Sequence, residues 1–158
     1  MLAGVVGVSF VGRVVYVFVG APAKLVFSDA LYYHLQGNLL ANGHLFVKPF
    51  EATFDGRFVP SAVHPPLFSM LLGAASAVGA ESVRAHEIVG CILGAATVAV
   101  VGLCAREIVG PRGGLIAAAL AAVYPALWVS DGLVVSESAF ALMTALVLLA
   151  SYRFTVPR

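Results

Sequence analysis

The sequence predicts an all-α fold of the polytopic membrane kind, with about four spanning helices and amphipathic surface helices in a long first external loop. Three observations predict it: the composition, the length of the uncharged runs, and the polar pattern of the stretch between the first run and the rest. Hydrophobic residues make up 61% of the chain and charged ones 11%, with a mean hydropathy of +0.99. A water-soluble domain of 158 residues does not carry that balance. Nine basic side chains against eight acidic ones argue against a nucleic-acid partner, which needs a clustered basic face. Membrane lipid and small substrates remain as partners. Cys91 and Cys104 lie in one apolar run, about 20 Å apart along a helix, beyond the reach of a disulfide. His34, His44, His64 and His86 show no metal-ligand spacing.

Residues 1–23 form the first span. The apolar run followed by Ala21, Pro22 and Ala23 superficially resembles a signal peptide, but no Lys or Arg precedes the run and Arg13 interrupts it, so it reads as a transmembrane helix. Arg13 either snorkels toward the headgroups or pairs with a buried acid. Three further spans are predicted at about 86–106, 112–130 and 133–153. The runs from Ile88 to Ala105 and from Gly113 to Ser130 hold 18 uncharged residues each, about 27 Å of helix, enough to cross. The last span requires Glu137 to sit near its outer margin. Leu67 to Ala80 offers only 14 uncharged residues, which suits a helix lying in the interface.

The external loop, about 27–85, is too long and too patterned for a plain connector. Its first surface helix, about 29–43, has Ser28 or Asp29 as cap, Leu31, Leu35 and Leu39 against His34, Gln36, Asn38 and Asn42, and Gly43 as stop. Its second, about 65–80, opens on Pro65 and Pro66, which fit a first helical turn because their missing amide hydrogens have no partner there. Between them, Phe54, Asp55, Gly56, Arg57 and Phe58 read as a tight hairpin turn. Gly90 and Gly94 supply a close-packing face for a neighbouring span. Tyr32, Tyr33 and Trp128 are placed as interfacial aromatics. With four crossings both termini share a side with Arg106, Arg112, Arg153 and Arg158, which the positive-inside rule assigns to the cytoplasm. The opposing loop carries Lys24, Lys48, Arg57 and Arg84, offset by acids.

Asp29, just after the first span, and Glu137, just before the fourth, would then hang at one external interface. Two carboxylates there could hold a divalent cation, magnesium or manganese, or one could take a proton from an attacking hydroxyl. The bland alternatives are a helix cap for Asp29 and complementation of a helix N-terminus for Glu137. His64, Arg84 and Arg57 are candidates to meet a lipid phosphate at headgroup depth, with solvated surface charge as the alternative for each. Asp131 reads as the end of a span or as a companion of the acidic pair.

The segments "SDALYYHLQGNLLANG", "HPPLFSMLLG", "RAHEIVGCILGAATVAVVGLCAREIVGPRGGLIAAALAAVYPALW" and "SDGLVVSESAF", in that order, resemble the N-terminal portion of GT-C class membrane glycosyltransferases. The likeness is to the bacterial branch of the protein O-mannosyltransferase and aminoarabinose transferase superfamily (glycosyltransferase family 39-like). The resemblance implies transfer of a sugar from a polyprenyl-phosphate donor to an acceptor on the outer face of the cell membrane. Asp29 would orient the acceptor, and Glu137 would be the second acid, with a divalent metal in some members. His64, directly before Pro-Pro, would meet the lipid phosphate; a lysine stands there in the aminoarabinose branch, so a permanent charge is replaced by one that titrates. Arg84 matches a common arginine. Many mannosyltransferases have Asp-Glu where this chain has Asp29 and Ala30, which points away from mannose. Complete members carry further spans, so the resemblance implies an incomplete chain or one needing a partner. The alternative from another class is a non-catalytic four-span scaffold or assembly subunit.

Overall fold

An apolar run free of proline gives the first helix its length, and a stripe at every fourth residue gives it a packing face. In a computed structural model, which describes residues 1–20, 25 and 29–155, α1 spans Leu2–Val19 and buries Ser9, Arg13 and Val17 along that stripe. Gly20 closes it, its amide donating to the Tyr16 carbonyl at 2.7 Å. Ala21 to Ala23, Lys24, the capping candidate Ser28 and Arg158 lie outside the described residues.

Helix α2 covers Asp29–Ala41. It ends where Gly43 takes φ 82° and the His44 amide reaches back to the Leu39 carbonyl, a left-handed cap that glycine adopts without strain. The short α3, Pro49–Phe54, follows. The sequence reads the next residues as a hairpin turn. What forms is a single antiparallel bridge between Val47 and Pro60, flanked by Lys48 N–H to Val59 at 2.8 Å and Ser61 N–H to Phe46 at 3.0 Å. Pro49 withholds the next amide and starts α3 instead.

Helix α4, Pro66–Ala77, has Pro65 as N-cap. Its 12 residues rise about 18 Å, short of the roughly 30 Å hydrocarbon core. It packs against α2 where two glycines meet: a Cβ on Gly37 would stand 2.7 Å from Leu72 Cβ, and one on Gly73 would stand 3.0 Å from Leu40 Cβ. This close approach rotates α2 away from the orientation its leucines suggest. Tyr32, Tyr33, Gln36 and Gly37 are buried, whereas Leu31, Leu35 and Leu39 are only half-buried. Tyr32 and Tyr33 are thus core residues and not the interfacial aromatics predicted. They gather with Phe68, Leu72, Val134 and Ala139 in one cluster.

Helix α5, Val83–Val123, is capped by the Ser82 hydroxyl, which accepts from the Ala85 amide, and is broken at Gly110, with φ 82° and ψ 178°, ahead of Pro111. Its two arms, 83–109 and 111–123, fold back on each other at Gly102 and Gly114, where a Cβ on Gly114 would lie 2.6 Å from the Gly102 carbonyl oxygen. The second arm is shorter than the run 112–130 suggests. Pro125 holds Tyr124 extended (φ −73°, ψ 115°), and the chain continues as a short α6, Pro125–Trp128, and a 3-10 turn, Val129–Gly132. Helix α7, Glu137–Thr155, packs on the first arm of α5 through Leu142, Ala145, Leu149 and Val100.

The architecture is all-α, with three to four helices long and apolar enough to span a membrane. Arg84 Nη1 donates to the Val17 carbonyl, so α1 finishes where α5 begins. The cluster of Ala30, Val134 and Ala139 puts the start of α7 at the same end. At the opposite end Arg153 donates to Glu107 at 2.8 Å, close to the Gly110 break.

Candidate functional site

The α2–α4 pair carries the candidate site because it fixes two aromatic rings around one imidazole. His64, immediately before the prolines that open α4, lies edge-on to Tyr32 at 4.3 Å between ring centroids and tilted against Tyr33 at 5.1 Å. This leaves Nε2 facing the first residue of α2: His64 Nε2 is 3.6 Å from Asp29 Oδ1. The Asp29 side chain is 72% exposed and that of His64 22%, so the carboxylate reaches into solvent while the imidazole is held from behind. A depression of about 380 Å³ opens beside them, and Lys48, Glu51, Ser61 and Tyr32 share its lining. Lys48 Nζ donates to Glu51 at 2.9 Å. Burial pushes the Tyr32 phenol above its usual range, so this hydroxyl stays a protonated donor.

Of the residues the sequence singled out, Asp29 and His64 are brought together. Arg84 stands at the same end of the bundle but has two engagements there, with Glu87 Oε2 at 2.8 Å and with the Val17 carbonyl. Its guanidinium also lies 5.9 Å from the Phe18 ring centroid. Its side chain remains 30% exposed. Glu137 opens α7 and is exposed; its neighbour Ser138 donates to Asp131 at 2.7 Å. Arg57 pairs with Asp55 and Glu51 at 3.3 and 3.5 Å on the surface. Asp131 is inside the molecule, bound to Arg13, which donates through Nη1 to Asp131 and, at 2.6 Å, to the Leu127 carbonyl, and through Nε to Ser9 at 3.1 Å. Of the two readings of Arg13, the buried pair is the one adopted. Gly94 makes the room, since a Cβ there would stand 2.8 Å from Asp131 Oδ2.

Sequence reasoning missed Lys48 and Ser61. The bridge of Val47 with Pro60 brings both to the depression, and the Asp55-Gly56 turn read from the sequence does not, because α3 fills the stretch before it. It also missed a buried polar chain behind the site. Ser76 donates to Asn38 Oδ1 at 2.7 Å, so its oxygen accepts from His86 Nε2 at 2.9 Å. His86 Nδ1 is therefore the acceptor toward His34 Nδ1, 3.1 Å away. Asn38 passes the chain to the Glu81 carbonyl at 3.1 Å. Burial lowers the His34 imidazole below its ordinary value, because the charged form is disfavoured away from water. The chain ties α2, α4 and the head of α5 together. No local sequence pattern announces it.

Among the described residues no three His, Cys, Asp or Glu side chains gather as a metal site. What the arrangement offers is an exposed carboxylate, an imidazole braced by two tyrosines, and a lysine, around a shallow opening at one end of a membrane bundle. Such a set can orient a hydroxyl and meet an anion. The family model for dolichyl-phosphate-mannose-protein mannosyltransferases matches residues 63–157. The match spans more than half the chain and includes His64, Arg84 and Glu137, while Asp29 precedes it. No curated protein and no solved structure matches the chain.

Proposed function

Since this chain belongs to the dolichyl-phosphate-mannose-protein mannosyltransferase family, membrane glycosyltransferases of the GT-C type, we propose that the Asp29 and His64 pair is the reacting centre for sugar transfer from a polyprenyl-phosphate donor at the external face of the cell membrane. The acceptor hydroxyl meets the Asp29 carboxylate, which orients it and takes its proton as the oxygen attacks the anomeric carbon. The bond from that carbon to the phosphate oxygen breaks, and the configuration inverts. Polyprenyl phosphate leaves without a separate general acid, because a phosphate is a good leaving group.

His64 and Arg84 steady the phosphate. His64 does so from its socket between Tyr32 and Tyr33, and Arg84 through the exposed part of a guanidinium that Glu87 holds in place. Glu137 is the second acid, by hydrogen bonding to the acceptor or through a divalent cation. Asp29 and Glu137 would give such an ion one carboxylate each, with substrate phosphate and water completing its shell, and no step depends on it. The absence of an acid after Asp29, where Ala30 is buried in the core, favours a transferred sugar other than mannose.

The observation that carries this reading is the 3.6 Å approach of His64 to Asp29, which joins a candidate base to a candidate phosphate partner across a stretch of 35 residues. The test is sugar transfer from a labelled polyprenyl-phosphate donor in membranes containing the chain. Asp29→Asn should reduce the rate by about 100-fold or more, the scale of a general base, with protein levels unchanged. Undiminished transfer by that variant would remove Asp29 from the chemistry.

A further inference from the structure

At the end of the bundle opposite Asp29, an opening of about 400 Å³ lies between the start of α1 and the two arms of α5, lined by Leu2, Arg106, Pro111, Arg112, Gly114 and Leu115 among others. The fold-back of α5 builds it. A Cβ on Gly114 would stand 2.7 Å from Arg106 Cβ, so Arg106 of the first arm rises directly beside the second arm, which Pro111 and Arg112 begin. Both arginines are exposed, and neither has a hydrogen-bond or ion-pair partner among the described residues. Among those residues no acid lines the opening. Glu107, next to Arg106 in the chain, is turned to α7, where Arg153 donates to it at 2.8 Å. The opening thus gathers two like charges and nothing that balances them, a field complementary to an anion.

Depth decides which anion fits. Helix α1 has 18 residues, a rise of about 27 Å, nearly the whole of the roughly 30 Å hydrocarbon thickness. Its Leu2 end, and the opening with it, therefore stands at the level where the phosphates of one leaflet lie. A planar guanidinium meets a phosphate with two parallel N–H donors. Below the arginines the surface turns apolar. Arg112, Ile116 and Leu120 follow at four-residue intervals along one face of the second arm, and Ile116 and Leu120 are 61% and 64% exposed. Cations at headgroup depth and an apolar track leading toward the membrane centre match the two halves of a phospholipid. A soluble anion would use only the first half.

We propose that this opening binds an anionic phospholipid, its phosphate held between Arg106 and Arg112 and one acyl chain laid along Ile116 and Leu120. A lipid whose headgroup carries its own cation fits less well, because that cation meets two arginines and no acid to receive it. The site is separate from the one around Asp29 and His64, which lies at the other end of the helices.

The test uses the full chain in detergent micelles doped with phosphatidylglycerol that carries a photoreactive headgroup, the adducts being mapped by peptide mass spectrometry. Adducts should fall between residues 102 and 116. Unlabelled phosphatidylglycerol should suppress them at a concentration about 10-fold below that needed of phosphatidylcholine, the scale of one to two cations near a lipid surface. Arg106→Gln and Arg112→Gln should each weaken binding by about 5-fold, while Arg57→Gln, at the other end, should leave it unchanged. Adducts confined to other parts of the chain, or equal suppression by phosphatidylcholine in the unaltered protein, overturn the proposal. So does undiminished labelling when both arginines are replaced. Inorganic phosphate suppressing the adducts as effectively as phosphatidylglycerol would make the opening a site for soluble anions and overturn the lipid assignment.

Discussion

Arg13 and Asp131 show how a costly residue becomes tolerable inside a membrane protein. A guanidinium near the middle of a span needs a counter-charge and acceptors for its nitrogens. Asp131, the Ser9 hydroxyl and the Leu127 carbonyl supply them, while Ser138 donates to the second carboxylate oxygen. Removing one member leaves the other charged and buried, which costs about 3–5 kcal/mol. Asp131→Asn should therefore lower the unfolding free energy by that amount in detergent titrations. The double replacement Arg13→Leu with Asp131→Leu should cost less than Asp131→Asn alone, because no stranded charge remains. The residue types were legible in the sequence, and so was the need for a partner. That the partner stands 118 positions away was not, because pairing at that separation depends on how α1 and the 3-10 turn meet on α5. His64 and Asp29 are the opposite case: each was singled out from its place beside a span or a proline pair, and the structure adds the tyrosine walls that aim one at the other.

At the scale of elements, glycine sets the spacing and proline sets the ends. Gly37 and Gly73 bring α2 against α4 closely enough that Leu72 occupies the place of a side chain on Gly37. Gly37→Ala should therefore destabilise the pair by about 1–3 kcal/mol, the scale of overpacking, read as a lower melting temperature. The aromatic walls of His64 should loosen with it, so sugar transfer should fall although no reacting group has changed. Some helix ends were legible from local signals, Gly43 after α2 and Pro65 and Pro66 before α4, whereas the break between the arms of α5 was read from the charges Arg106 and Arg112 and the structure puts it at Gly110 and Pro111. Helix faces were less so. The leucine spacing of α2 pointed to one side, yet the buried side carries Tyr32, Tyr33, Gln36 and Gly37, because the glycine contact and the chain of His34, His86, Ser76 and Asn38 outweigh the leucines in fixing rotation. Gly90 and Gly94 were recognised as a packing face, and the structure shows what packs there: the backbone of Asp131 against Gly90 and the Arg13 pair against Gly94.

For the whole molecule the decisive quantity is how many helices can cross. With α4 too short, α1 ending beside the start of α5, and α7 starting beside α2, the residues Asp29, His64, Arg84 and Glu137 belong to one end of the bundle and Arg106 to the other. Single cysteines at Asp29 and Glu137, introduced into chains lacking Cys91 and Cys104, should both react with a membrane-impermeant maleimide added to one side of sealed vesicles. A cysteine at Arg106 should react only from the other side. Labelling of Asp29→Cys and Glu137→Cys from opposite sides would break the shared site. The sequence by itself determined the all-α membrane character and the order of long and short apolar runs, because hydrophobic length is a property of neighbouring residues. Only the tertiary structure decided which polar groups meet: Arg13 with Asp131, His34 with His86, Arg84 with Glu87, His64 with Asp29. Those meetings depend on how each helix is rotated about its axis. That rotation is set by the sum of contacts with other helices, which no contiguous stretch of sequence contains.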